Sequence, residues 1–127
     1  MNKKFTNEFY KHLNNNTLIG IKAGRKRKKF LDIWMVEVNG RVFARTWNKS
    51  KRSWFTEFIH SGEGQIKYGE KIIPVKGKKL EYESGLSILI NKAYLEKYNQ
   101  PANLVYSIGI TQPEYEEYTM ELFYLEN

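Results

Sequence analysis

The chain of 127 residues contains no cysteine. A disulfide frame, a thiolate nucleophile and a zinc–cysteine cluster are therefore excluded. Histidine is nearly absent too: His12 and His60 stand far apart, which argues against a histidine-rich metal site. No apolar run approaches the roughly 18 residues of a membrane span. The opening stretch "MNKKFTNEFYKHLNNN" begins with the lysine pair Lys3-Lys4 but has no apolar segment behind it, unlike a secretory signal. A cytoplasmic protein is the expectation. No serine–histidine–acid set and no carboxylate pair spaced for hydrolysis can be read. Glu114, Glu116 and Glu117 read as a solvated turn.

What is present is charge, unevenly placed. The net charge is +7, and Lys22 to Lys29 hold six cations in eight positions. Residues 22–52 carry eleven Lys/Arg against Asp32 and Glu37, whereas residues 81–127 carry two lysines against eight glutamates. A basic half joined to an acidic tail points to an anionic partner at one surface. A chain of this length reads as one domain over 1–127.

Phe5, Phe9, Tyr10 and Leu13 recur at helical spacing, predicting a helix over 5–14 capped by Thr6 or Asn7. "TLIGIKA" reads as a strand. In "FLDIWMVEVNGRVFARTW" two apolar runs flank Asn39-Gly40, a pair suited to the positive φ angles of a type I′ turn. Strands over 30–38 and 41–47 follow. Trp54, Phe55, Phe58 and Ile59 predict a helix over 51–60, capped by Asn48 or Ser50 and ended by Gly62 and Gly64. Strands over 64–68 and 71–82 come next, with Pro74 suggesting an edge position or a bulge. Leu86, Leu89, Ile90, Ala93, Tyr94 and Tyr98 form the apolar stripe of a helix over 85–98. "NLVYSIGI" is ambiguous between a strand and irregular chain. Alternating Tyr118, Met120, Leu122 and Tyr124 mark a last strand over 117–125. The order predicts a mainly β (α+β), antiparallel, small barrel-like sheet with inserted helices.

A two-residue turn at Asn39-Gly40 makes partner numbers sum to 79. Trp34 would then face Arg45, Asp32 would face Trp47, Lys29 would face Ser50 and Arg27 would face Arg52. The basic loop would meet Lys49, Lys51 and Arg52 at the open end of one hairpin, beside the start of the next helix. Cations gathered in this way repel one another unless a phosphate joins them. Alternation assigns Leu31, Ile33, Met35, Val42 and Ala44 to the core. It places Phe30, Asp32, Trp34, Val36, Val38, Phe43, Arg45 and Trp47 on an outer face. So aromatic a face needs a cover: a helix, a second subunit or a flat ring. Aromatics and arginine beside a phosphate site suit a ligand with a planar ring at one end and a phosphate at the other.

The stretch 22–55 resembles a small, mostly bacterial family of uncharacterised proteins grouped with the FMN-binding split-barrel proteins. These are related to pyridoxamine-phosphate-oxidase-like and deazaflavin-dependent reductases. The matching residues are Gly24, Arg25, Ile33, Trp34, Gly40, Arg45, Thr46 and Trp54, with Ala93, Tyr94, Lys97 and Tyr98 in the later helix. The resemblance implies a six-stranded antiparallel split β-barrel with two to three inserted helices, often a homodimer. It implies that a cofactor phosphate, as in FMN, lies near Arg45, Thr46, Lys49, Lys51 and Arg52. With the basic loop and the aromatic face, the candidate binding residues are Arg25, Arg27, Lys29, Trp34, Arg45, Thr46, Trp47, Lys49, Lys51 and Arg52. The function expected is that of a flavin- or phosphate-binding protein, with flavin-dependent oxidoreductase activity in view. Two alternatives stand beside it: a nucleic-acid-binding module, since "RKRKK" with exposed aromatics suits single strands, and a non-catalytic dimeric domain whose aromatic face is the subunit interface.

Overall fold

A computed structural model describes residues 2–47, 53–81 and 84–125. The element order is β1 (Asn2–Lys3), α1 (Asn7–Asn15), β2 (Ile19–Ala23), β3 (Leu31–Ile33), β4 (Val36–Val38), β5 (Arg41–Arg45), α2 (Trp54–Ser61), β6 (Glu63–Tyr68), β7 (Lys71–Lys79), α3 (Ser84–Lys97), α4 (Leu104–Ile110), α5 (Pro113–Glu116) and β8 (Thr119–Leu125). The fold is α+β. The eight strands among the described residues, one of them the two-residue β1, and their five helices exceed the six strands and two to three helices expected.

The strands form one antiparallel sheet in the order β3-β2-β6-β7-β8-β5-β4, and β1 pairs with β8. The two ends of this order, β3 and β4, are consecutive in the chain and separated only by Trp34 and Met35. The three Cα–Cα steps from Ile33 to Val36 span at most ~11 Å, so the sheet must curl until its edges come close there. One end of α1 is fixed by Thr6, whose hydroxyl accepts from the Phe9 N–H at 3.2 Å. Phe9 and Leu13 of that helix enter the concave core with Ile21, Met35, Val42, Phe58, Ile66 and Met120.

The Asn39-Gly40 turn forms as its sequence dictates, with φ of 51° and 84° and Val38 opposite Arg41. The long hairpin does not. The β4–β5 ladder runs only from Val38↔Arg41 to Val36↔Phe43, and β3 pairs instead with β2, Asp32 lying opposite Gly20. Trp34 is therefore not the cross-strand partner of Arg45, nor Asp32 of Trp47. The expected pairings of Lys29 with Ser50 and of Arg27 with Arg52 involve Ser50 and Arg52, which lie outside the described residues.

The outer face of the β4–β5 ribbon is covered by a helix. Val36, Val38 and Phe43 pack with Leu86, Ile90, Tyr94 and Tyr98 of α3 in a second apolar cluster. Of the predicted α3 stripe, Leu89 instead points to solvent, and of the predicted core face Leu31 is half exposed.

Helix α2 begins later than expected. Ser53 caps it, its hydroxyl accepting from the Thr56 N–H at 3.1 Å; Asn48 and Ser50 are outside the described residues. Trp54, Phe55 and Phe58 are buried, whereas Ile59 is exposed. Residues 104–110, ambiguous in sequence, are the helix α4, which buries Ser107 and Ile110 three residues apart. Pro74 sits in β7 opposite Gln65 in an unbroken register. That pair is not hydrogen-bonded in a ladder closed by Tyr68↔Lys71, so the ring nitrogen faces β8, where pairing starts only at Val75.

Candidate functional site

Where the hairpin splits, backbone donors lose their strand partners. In a ladder closed by Val38↔Arg41, Trp34 and Arg45 would be the next hydrogen-bonded pair. Tyr94 of α3 takes over that role for Arg45, and Tyr98 at the end of the same helix holds the backbone at Met35. The Tyr94 hydroxyl accepts from the Arg45 N–H at 2.8 Å, and the Tyr98 hydroxyl accepts from the Met35 N–H at 2.9 Å while donating to the Thr17 carbonyl at 2.7 Å. These tyrosines lie four residues apart, one helical turn, so one helix face meets both strands. Burial pushes the Tyr94 phenol up to about 12 and raises the Tyr98 phenol further, so both stay neutral and able to serve as donor and acceptor.

Between the parted strands lies a cavity of about 350 Å³, within the range of small-ligand sites. One wall is Leu31, Asp32, Ile33 and Trp34; the opposite wall is Arg45, Thr46 and Trp47. Ser53 and Trp54 at the start of α2, Ile110 of α4, and Arg27 from the basic loop complete it. All three tryptophans of the chain line this space. Each is held by neighbours. Trp34 stacks on Tyr98 at 4.0 Å between ring centres and 9° between planes. Trp47 meets Tyr115 edge-on at 5.0 Å, and Trp54 is buried against Phe55 and Phe58.

Arg45 is the unusual group. Its side chain is only 2% exposed. The Nε donates to the Thr119 hydroxyl at 3.0 Å, and one terminal nitrogen donates to the Asn91 Oδ1 at 2.5 Å and to the Ile110 carbonyl at 3.1 Å. These acceptors are all neutral. The other terminal nitrogen is buried and has no hydrogen-bond partner among the described residues. Burial lowers the guanidinium from its usual 12.5, with Tyr94 and Glu116 acting in the opposite direction. Arginine nevertheless keeps its charge. A buried cationic donor without an acceptor costs several kcal/mol unless something supplies one.

Five of the ten expected binding residues meet at this cavity: Arg27, Trp34, Arg45, Thr46 and Trp47. The basic loop is otherwise divided. Arg25 lies in a separate depression with Lys22, Lys26 and Glu57, and its guanidinium is 3.8 Å from Glu63. Lys29 lines a third hollow with His12, Phe30 and Lys67. Lys49, Lys51 and Arg52 are outside the described residues. The sequence reasoning missed Ser53, Trp54 and Ile110, and it placed Asp32 on the outer face without a role in binding. Asp32 is the one carboxylate on the described wall of the cavity. Only Trp54 carried a signal, as part of the tryptophan-bearing helix of the resemblance.

The pattern of a protein family described as uncharacterized and conserved in bacteria, DUF2255, matches residues 11–122. The chain belongs to this family. No curated protein matches it. The match runs from α1 into β8, so every residue on the cavity wall falls inside the DUF2255 region. No helix among the described residues is long and apolar enough to cross a membrane.

Proposed function

We propose that this member of the DUF2255 family binds a planar, phosphate-bearing ring compound, FMN or a close analogue, in the cavity between β3 and β5. The observation that carries this reading is Arg45, a buried guanidinium whose second terminal nitrogen has no hydrogen-bond partner among the described residues, in the lining of a cavity that holds all three tryptophans. An anionic or carbonyl oxygen would satisfy that donor through a charge-assisted hydrogen bond. Arg27, in the lining of the same cavity, adds a second cation. Trp47 and the face of Trp34 turned away from Tyr98 offer apolar surface to a flat ring. These groups fit a flavin phosphate; they would hold and orient it. Such a ring, when bound, supplies the redox chemistry, and the chain's part is position, electrostatics and exclusion of water. An oxidoreductase activity follows only with the ring in place.

The visible spectrum of the purified protein, with and without added FMN, tests the reading. A bound flavin gives a shifted and structured band near the flavin maximum. A colourless protein whose addition leaves the FMN spectrum unchanged would refute it.

A further inference from the structure

We infer that the outward faces of α3 and α4 are the contact surface of a symmetric dimer, a second copy of this chain being the partner. This goes beyond the ligand reading and does not depend on it. Twelve large apolar side chains are exposed among the described residues, and eight of them are on α3, on α4 or at Trp47. A helix lying on a sheet normally turns polar residues outward. Helix α3 is apolar on both sides: Leu86, Ile90 and Tyr94 pack on the strands, while Ile88 is 65% exposed and Leu95 38%. Helix α4 packs against α3 and leaves Val105 75% exposed, with Tyr106 and Ile108 near half.

The size of the surface fits a dimer. These side chains together expose on the order of 700 Å², above the ~300–600 Å² of the largest patch on a typical monomer and close to the ~800 Å² per partner of a standard interface. Its charge fits a second copy better than other partners. The chain carries +7, yet residues 84–116 hold two lysines against three glutamates. Lys97 of these turns inward, donating to the Met35 carbonyl at 2.6 Å. On the outward side of α3 the charges are Lys92 and Glu96, one turn apart and 3.8 Å from each other. A two-fold axis across α3 sets opposite charges from the two copies against each other, which makes the surface self-complementary. A membrane-docking face would carry a basic rim, and a nucleic-acid face would carry cations and little aliphatic surface. Trp47 belongs both to this patch and to the cavity wall, so the partner copy would border the cavity mouth.

Sedimentation velocity of the full chain over the micromolar range tests the inference. The expected species has twice the 15.1 kDa mass of the chain. Ile88→Glu and Val105→Glu each weaken the association by ~10-fold or more. Both sites are exposed in the single chain, so the far-ultraviolet circular dichroism spectrum should not change. Ile72→Glu, at an exposed site on β7 away from both helices, leaves the dimer intact. A wild-type chain that stays monomeric throughout overturns the inference. So does a dimer indifferent to both glutamates, or a monomer that co-sediments with phosphatidylcholine–phosphatidylglycerol vesicles.

Discussion

The backbone N–H of Arg45 donates to the hydroxyl of Tyr94, 49 residues further along the chain, at 2.8 Å. A longer hairpin would have given that donor to Trp34. Strand β3 is thus free to pair with β2, and the cavity occupies the space it leaves.

Removing the Tyr94 hydroxyl should therefore destabilise the fold. In Tyr94→Phe the buried Arg45 N–H loses its acceptor, at a cost of about 1–3 kcal/mol. Tyr98→Phe should cost at least as much, since both the Met35 N–H and the Thr17 carbonyl lose their partner. Tyr106→Phe, at an exposed phenol on α4, should stay within ~0.5 kcal/mol of wild type. Urea midpoints of the three variants check this ordering.

Much of this arrangement is local in the sequence, and the rest is not. The Asn39-Gly40 turn was legible because its φ angles depend on those two residues alone. The split at Trp34-Met35 was not, because it is stabilised by Tyr94 and Tyr98, which join the hairpin only through tertiary packing. The need for a cover over Val36, Val38 and Phe43 could be read from alternation. That α3 provides it could not be decided against a subunit or a ring. Residues 104–110 misled because a short apolar run with β-branched residues has no decisive period, and most of its side chains remain exposed. Within the site, the arginine and the aromatics were legible as types. Their grouping was not, because the basic loop divides among three hollows instead of converging.

Gly77 and Gly64 should not tolerate alanine. A Cβ at Gly77 would lie 2.4 Å from the Phe58 ring, and one at Gly64 would lie 2.6 Å from it and 2.4 Å from the Lys22 carbonyl. Phe58 is fully buried between α2 and the sheet, so it has nowhere to move. Gly77→Ala should lose ~2–3 kcal/mol or more through overpacking. Thermal unfolding followed by circular dichroism measures it.

Lys97 gives a pH signature. Burial depresses its ammonium from 10.5 to about 8, although it donates to the Met35 carbonyl. The unfolded chain then binds more protons than the folded one between about pH 8 and 10.5, so this group makes stability rise with pH across that window. Below pH 8 its full penalty is present; above 10.5 it is gone. Lys97→Met should flatten the rise, which chemical denaturation at pH 7.5, 8.5 and 9.5 would show. An unchanged slope in the variant would contradict it.

Asp32 lines the same cavity as Arg27 and Arg45. A carboxylate there opposes an anionic ligand. Asp32→Asn should tighten FMN binding by about 2- to 5-fold at low salt, and the gain should shrink as salt screens the charge. Flavin fluorescence titrations at two salt concentrations measure both effects.

Equilibrium dialysis of FMN and of riboflavin against the wild-type chain and Arg45→Met is the most direct test of the cavity's role. The wild type should retain FMN with a dissociation constant of ~10 µM or below, riboflavin at least ~10-fold more weakly, and Arg45→Met should lose most of the FMN affinity while remaining folded. Equal partition of FMN across the membrane with wild-type protein, or retention that Arg45→Met does not change, would contradict the account.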